Sequence, residues 1–280
     1  MKHYNIAAKS IENFSLNEKE YSLLDINHGF TIYGEERNVF VKDNNGKAQV
    51  TINFGNSINC KVFIGENLEG ELNVTFHGNN SILYIGSGCK LRKVQIRSFQ
   101  NNDFIAVGNY VTTTAQNIWI SGNGAGNANP AIIIGDDCMF SYDIVIRNSD
   151  AHPIFSSTTD LQVNEPSGIV HIEPHVWICE KVNILKTTTI GACSIVALGS
   201  IVTKDVPRFS IAKGTPAKSY DNKENYWARG NDLQSREKAK HYLSKYMSLQ
   251  EGVSPDGNFA VRHVRQLIVS LLHIFLRRLQ

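Results

Sequence analysis

Long hydrophobic runs are missing from this 280-residue chain. No stretch reaches the roughly 20 apolar residues that a membrane-spanning helix needs. Met1-Lys2-His3-Tyr4 leads into no apolar segment of the kind a secretory signal carries. Cysteines are few, at 60, 89, 138, 179 and 193, odd in number and without CxxC spacing. This argues against a disulfide framework and fits free thiols in a reducing, cytoplasmic setting. No charge excess is present either: 28 Lys and Arg stand against 26 Asp and Glu, scattered along the chain. A nucleic-acid protein would carry a basic stripe, so that partner is excluded. The hydrophobic fraction, 42%, is slightly low for a compact globule and suits an architecture with a thin core.

What is present is a period of six. Ile172, Ile178, Ile184, Ile190, Val196 and Val202 are all aliphatic at that interval. Four residues after each stand Val176, Val182, Thr188, Ser194, Ser200 and Val206, β-branched or small. A helix would repeat its apolar face near 3.6 and a half-buried strand near 2. A period of six means short flat strands with a corner between each, three strands closing a triangular coil of about eighteen residues. The aliphatic residue stacks on its counterpart a turn away, and the small residue fits the corner.

The period can be followed backwards with gaps. Ile64-Gly65, Ile85-Gly86, Val107-Gly108 and Ile134-Gly135 read as successive coil starts, 21, 22 and 27 residues apart. These early coils carry insertions. Residues 1–49 form a β-rich segment without a clear repeat, with a short strand at Val39-Phe40-Val41 and a turn at Asn44-Asn45-Gly46. Regular phase begins at Ile134, Phe140 and Ile146, and the next in-phase residue is His152. An imidazole cannot occupy the inward column unpartnered, so the chain leaves the coil there. Pro153 and Pro166 bracket an ejected loop over 153–169, and Ile172 restarts the first face. The coil domain is placed at 50–218 and a helical extension at 219–280. Within the extension Asp232 caps a helix to about Leu249, with Leu233, Ala239, Leu243 and Met247 on one side. A second helix over Phe259–Leu279 is apolar but for a narrow stripe. It is expected to pack against the protein or a neighbouring subunit, with peripheral membrane contact as the alternative.

Three stretches carry a family resemblance. They are Ser149-Asp150-Ala151-His152-Pro153-Ile154, His175-Val176-Trp177-Ile178, and Gly199 to Pro207 followed by Ala212-Lys213-Gly214-Thr215-Pro216-Ala217-Lys218. Over about residues 130–220 the chain resembles the hexapeptide-repeat acyltransferases, and within them the sugar and capsular-polysaccharide O-acetyltransferases. One departure is Cys179, where many relatives have Gly. The resemblance implies a mainly β fold: a left-handed parallel β-helix, here with irregular N-terminal coils and a helical C-terminal tail. It also implies acetyl-CoA as donor, a carbohydrate acceptor, no metal and a homotrimer. The handedness comes from the resemblance alone, since left-handed coils break the right-handed crossover rule.

Candidate chemistry follows. A sugar hydroxyl is a poor nucleophile at neutral pH, and an imidazole suits the role of base. His152, at the point where the loop leaves, is the candidate. On residues alone it is equally a structural histidine at a loop root, and the resemblance favours the base. Trp177, just before inward Ile178, is placed at a corner, and the resemblance sets it against the acetyl end of the donor. The bland reading is a surface aromatic over the ejected loop. His175 reads as a polar corner residue. Asp150 is a candidate to orient His152, alongside Glu165, Glu173 or a backbone carbonyl. The donor cradle implied by the resemblance comprises Trp177, Gly199, Ser200, Lys204, Arg208, Lys213, Gly214, Thr215, Pro216 and Lys218. Its lysines and arginine supply charge for phosphates and its glycines close backbone approach. A basic turn capping the last coil is the bland reading.

Counting faces from Ile134 puts His152 and Trp177 at different corners of one prism, so sites between subunits are expected. Other readings remain. One is acetyl transfer to a free sugar, amino acid or amine. Others are zinc hydration through His152, His171 and His175, and a non-enzymatic carbohydrate-binding β-helix. The zinc reading is weakened because His171 and His175, four apart, do not share a face of a six-residue rung.

Overall fold

The computed structural model describes residues 2–24, 29–36, 38–43, 47–122, 129–164 and 168–250. Met1–Trp227 and Ala228–Gln280 are separate compact units. The first is a parallel β-helix of left hand.

One side of the coil is a stack of strands Val39–Val41, Lys61–Ile64, Ile82–Ile85, Phe104–Val107, Ala131–Ile134, Ile169–Ile172 and Thr189–Ile190. Their register sets Val41, Ile64, Ile85, Val107, Ile134, Ile172 and Ile190 one above another. The uneven spacing of the coil starts therefore leaves the inward column unbroken. A column on the third side runs Ile52, Val74, Ile96, Trp119, Ile146, Ile184 and Val202. The second side stacks Phe140, Ile178, Val196 and Ala212. Column residues are almost fully buried, and each aliphatic side chain contributes about 1.5–3 kcal/mol by leaving water. The small set also behaves as expected: Val176, Val182, Thr188, Ser194, Ser200 and Val206 are all buried.

Early and late turns differ in construction. Lys47–Asn53, Glu69–Phe76 and Lys90–Ser98 are long strands. Lys90–Ser98 pairs with second-side Thr112–Thr113 at one end and third-side Asn117–Ser121 at the other. From Thr112 onward the two sides are separate short strands, and from Ile169 onward the rungs are spaced by six.

The N-terminal segment differs from its β-rich expectation, because it opens with helix α1 (Lys2–Ser10). Ala7 and Ile11 bury against the outward side chains of the first side, Phe63, Tyr84, Phe104, Ala106, Ala131 and Ile133. Tyr4, Phe14 and Tyr21 add edge-on ring contacts to this second core. First-side strands such as Ala131–Ile134 are thus buried on both faces, which is why they read as unbroken apolar runs.

In the second unit, helix α2 spans Leu233–Gln250. Asp232 caps it as expected: the Ser235 N–H donates to Oδ1 at 2.8 Å and the Ser235 hydroxyl to Oδ2 at 2.6 Å. Ala239 and Tyr246 are buried, Leu243 and Met247 half-buried, but Leu233 is exposed. Among the described residues no helix is long and apolar enough to cross a membrane. The turn expected at 44–46 and the helix expected at 259–279 lie outside the described residues.

Candidate active site

His152 is exposed where the chain leaves the coil. The coil strand before it, Ile144–Arg147, ends in a buried polar corner. The Ser149 hydroxyl donates to the Gly122 carbonyl at 2.6 Å, and Asn148 Nδ2 to Ser121 Oγ at 2.8 Å. Ser121 in turn donates to Asp103 Oδ1 at 2.7 Å. Burial outweighs these bonds and pushes the Asp103 carboxyl up to about 6.

The ejected segment is an ordered arm. The Val163 N–H donates to the Ile154 carbonyl at 2.8 Å, and the Ser156 N–H to the Leu161 carbonyl at 2.9 Å. Asn164 ties its root: Oδ1 accepts from the Ile154 N–H at 2.7 Å, and Nδ2 donates to the His152 carbonyl at 3.2 Å. Pro166, the expected far bracket, lies outside the described residues. Ile154, Phe155, Leu161 and Val163 are all more than half exposed on this arm.

Asp150 turns in another direction than expected. Its Oδ2 accepts from Asn164 Nδ2 at 2.8 Å and pairs with Lys186 of the next coil. Burial raises this carboxyl, but the bonds from Lys186 and Asn164 prevail and hold it below the usual range. Asp150 therefore anchors the arm to the coil. Of the other candidate orienters, Glu173 binds Arg208, and Glu165 lies outside the described residues. The root of the arm borders a groove of about 560 Å³ lined by Arg147, Ser149, Asp150, Ala151, Ile154, Leu185, Lys186 and Thr203. Lys186, Arg147 and Asn164 were not singled out in the sequence. Lys186 had a faint signal, two residues beyond inward Ile184. Asn164 had none.

Trp177 lies in strand Trp177–Ile178, not at a corner. It points outward in a ladder with Met139 and Ile195, and Ile195 pairs onward with Ile211. The corner residue is His175, whose φ of 57° is left-handed. Its Nδ1 lies 2.8 Å from Asp137 Oδ2, and both side chains are buried. The three histidines considered for a metal serve separate contacts. His175 meets Asp137, His152 is exposed, and His171 Nε2 lies 2.8 Å from Ser10 Oγ under α1.

The donor-cradle residues fall in two groups. Ser210–Gly214 and Ala217–Asp221 form an antiparallel hairpin across Thr215 and Pro216. Its turn is tied to the last corner: the Gly214 N–H donates to Ser200 Oγ at 3.2 Å, and the Thr215 hydroxyl to the Gly199 carbonyl at 3.4 Å. Gly199 has φ +69° and open space where a side chain would stand. Lys204 and Lys218 are exposed, and Lys213 Nζ sits 4.6 Å over the Tyr220 ring. Arg208 departs from the phosphate-binding expectation. Its Nε donates to Glu173 Oε2 at 2.6 Å and Nη2 to Oε1 at 2.5 Å, a two-pronged pair that pins adjacent coils. Burial alone would raise the Glu173 carboxyl, but Arg208 holds it low.

The fold is a left-handed β-helix, and the chain is similar in sequence and in fold to O-acetyltransferases. No protein-family profile matches the chain. It is 37% identical over 98 residues to a polysialic acid O-acetyltransferase of Escherichia coli O1:K1 / APEC, covering 35% of this chain and 31% of that one. It is 32% identical over 128 residues to the polysialic acid O-acetyltransferase of Neisseria meningitidis, covering 40% of this chain and 59% of that one. The matched stretches thus span less than two thirds of either curated relative. The crystal structure of the polySia-specific acetyltransferase NeuO superposes with a TM-score of 0.67 and 26% identity, over 82% of this chain and 94% of that one. The polysialic acid O-acetyltransferase OatWY shares the fold, with a TM-score of 0.55 and 22% identity, over 69% of this chain and 95% of that one.

Proposed function

We propose that the chain is an acetyl-CoA-dependent O-acetyltransferase acting on a hydroxyl of a sugar in a bacterial capsular or surface polysaccharide. The observation that carries this reading is His152, exposed at the root of an ordered arm beside a groove with two cationic side chains, Arg147 and Lys186. The similarity to two polysialic acid O-acetyltransferases points to the same acceptor class. The free thiols fit the cytoplasm as the working compartment.

In this reading the His152 imidazole takes the proton of the acceptor hydroxyl as its oxygen attacks the thioester carbonyl. The tetrahedral oxyanion is stabilised by a backbone N–H or by groups around Trp177. The carbon–sulfur bond then breaks, and the departing thiolate takes the proton from the imidazolium. Ester and free thiol result, with no covalent enzyme intermediate. Gly199, Ser200, Gly214, Thr215 and Pro216 would line the pantetheine arm, and Lys204, Lys213 and Lys218 would meet phosphates.

The assembly is part of the proposal. His152 follows the third side and Trp177 stands on the second, while α1 covers the first. A homotrimer would set the second side of one copy against the arm of the next and complete each site from two chains. The half-buried apolar ladder Met139, Trp177, Ile195 and Ile211 supports this, as does the apolar arm.

The test is thiol release from acetyl-CoA against a panel of neutral and acidic bacterial glycans, with sedimentation to fix oligomeric size. Acceptor-dependent release from a trimer is expected. Folded protein whose thiol release is not raised by any glycan refutes the activity, and a fully active monomer refutes the shared site.

A further inference from the structure

Beyond the second strand of the hairpin the chain runs through exposed residues 223–226 and then buries one large side chain, Trp227. Only 6% of Trp227 remains accessible, and it is the last residue of the first compact unit. Its ring lies flat on the His175 imidazole, with centroids 4.1 Å apart and planes within 5°. Two hydrogen bonds run in opposite directions between the same residues. Trp227 Nε1 donates to the His175 carbonyl at 3.2 Å, and His175 Nε2 lies 3.2 Å from the Trp227 carbonyl oxygen. The His175 ring is fixed from its other edge by Asp137. This corner is therefore clasped on its face, both ring edges and its backbone.

A plug that only excluded water would not require this double registration. Trp177, two residues on from His175, has its ring centroid 6.1 Å from that of Trp227, with the planes tilted by 46°. We propose that Trp227 is a positioning residue for Trp177: the clasp on His175 fixes the Trp227 indole, and that indole walls one side of Trp177. Trp177 stands on a two-residue strand and is half-buried, so its neighbours beyond the coil restrict its rotation. Misplacement of a substrate-positioning group by about 1 Å is enough to lower turnover by as much as ~10²-fold. The inference rests on the reading of Trp177 as the wall of the acetyl-donor site.

The experiment is a double-mutant cycle of Trp227→Ala and Trp177→Phe on the full chain, with steady-state kinetics and thermal melting. Trp227→Ala is expected to lower kcat/KM for acetyl-CoA about tenfold and to leave KM for the acceptor unchanged. Trp227→Phe, which retains a stacking ring, should restore most of that loss. In the Trp177→Phe background Trp227→Ala should add little, because its effect passes through a residue already changed. The exciton couplet of the two indoles in circular dichroism should vanish in each single variant. If Trp227→Ala does not fold, Trp227→Leu takes its place, filling volume without stacking. Equal losses in both backgrounds, or a change in melting without any change in donor kinetics, overturn the inference and leave the proposed activity standing. If Trp177→Phe alone is kinetically silent, the reading of Trp177 falls and the inference with it.

Discussion

Early and late coils share one inward column but reach it by different routes. Before Ser98 the second and third sides are made by single long strands, as in Glu69–Phe76 with its register shift between Gly70 and Leu72. After Thr112 they are separate short strands with a corner between them. Yet Ile85, Val107, Ile134 and Ile172 stack without a slip across both regions. What the fold conserves from turn to turn is register, not length, because a slip of one residue would turn the whole apolar set outward. Extra residues are absorbed in the strands early, and late they are ejected at a single corner. That ejection carries the candidate site.

The sharpest break of this comparison is chemical. His152→Ala should lower kcat at least ~10²-fold with the fold intact. His77 of the early coils is also exposed, stacked on Phe99 at 4.6 Å. His77→Ala should leave acetyl transfer unchanged, and comparable losses at both histidines would remove the functional distinction between the regions.

Corner packing gives the next largest difference. A Cβ at Gly108 would stand 2.6 Å from backbone atoms of Gly135 and Asp136, whereas at Gly199 it meets nothing within 4 Å. Gly108→Ala should cost about 1–3 kcal/mol in urea unfolding, through overpacking against backbone. Gly199→Ala should cost about 1–2 kcal/mol, from its left-handed φ alone. Equal costs, with donor kinetics unaffected by Gly199→Ala, would mean that the last corner is no more open than the earlier ones.

A smaller effect concerns pH. Burial raises Asp103 and Asp136 from 3.8 to about 6. Each prefers its proton in the folded chain. Its contribution to stability is therefore full below about pH 3.8 and lost as pH rises through about 6. His171, which burial lowers, works in the opposite direction and loses stability as pH falls below 6.5. Asp103→Asn should flatten the melting profile between pH 4 and 7 relative to the unaltered chain, and an unchanged slope would show that Asp103 does not titrate there.

The smallest effect is thiol accessibility. Cys60, Cys89, Cys138 and Cys193 are buried, and burial pushes the Cys193 thiol up to about 12. Cys179 is half-buried on the second side. Mass spectrometry after brief alkylation should find Cys179 modified first. An early-coil cysteine reacting ahead of it would show the early turns opening more readily than the late ones.

Much of this could be read from residue patterns, and what escaped has a common cause. The late column follows from aliphatics at intervals of six, and the early starts from Ile-Gly and Val-Gly pairs, because both are local. Asp232 before a helix is local too. The arm was visible as the failure of the period at His152. The partners of Asp150, Glu173 and His175 lie 36, 35 and 52 residues away. Nothing in a six-residue repeat says which turn will meet which, so Lys186, Trp227 and the pairing of Arg208 with Glu173 stayed hidden. Trp177 was set at a corner because it directly precedes inward Ile178. An outward strand position on an apolar ladder accommodates it equally well. The covering helix α1 was missed although unbroken apolar strands such as Phe104–Val107 and Ala131–Ile134 signalled a side buried on both faces.

That covering helix also sets an order of events during synthesis. Ser10 meets His171 across 161 residues of chain, and Glu12 meets Asp136 across 124. The helix emerges from the ribosome before any strand it will cover. At 5–20 residues per second it waits some 8–30 seconds for Ile169–Ile172 to follow. Ala7 and Ile11 can meet Phe63, Tyr84 and Phe104 as those strands appear, but the Ser10 and Glu12 contacts must wait for the later turns. The helix therefore settles on the first side in stages, and the hydrogen bond that fastens its end to His171 closes last.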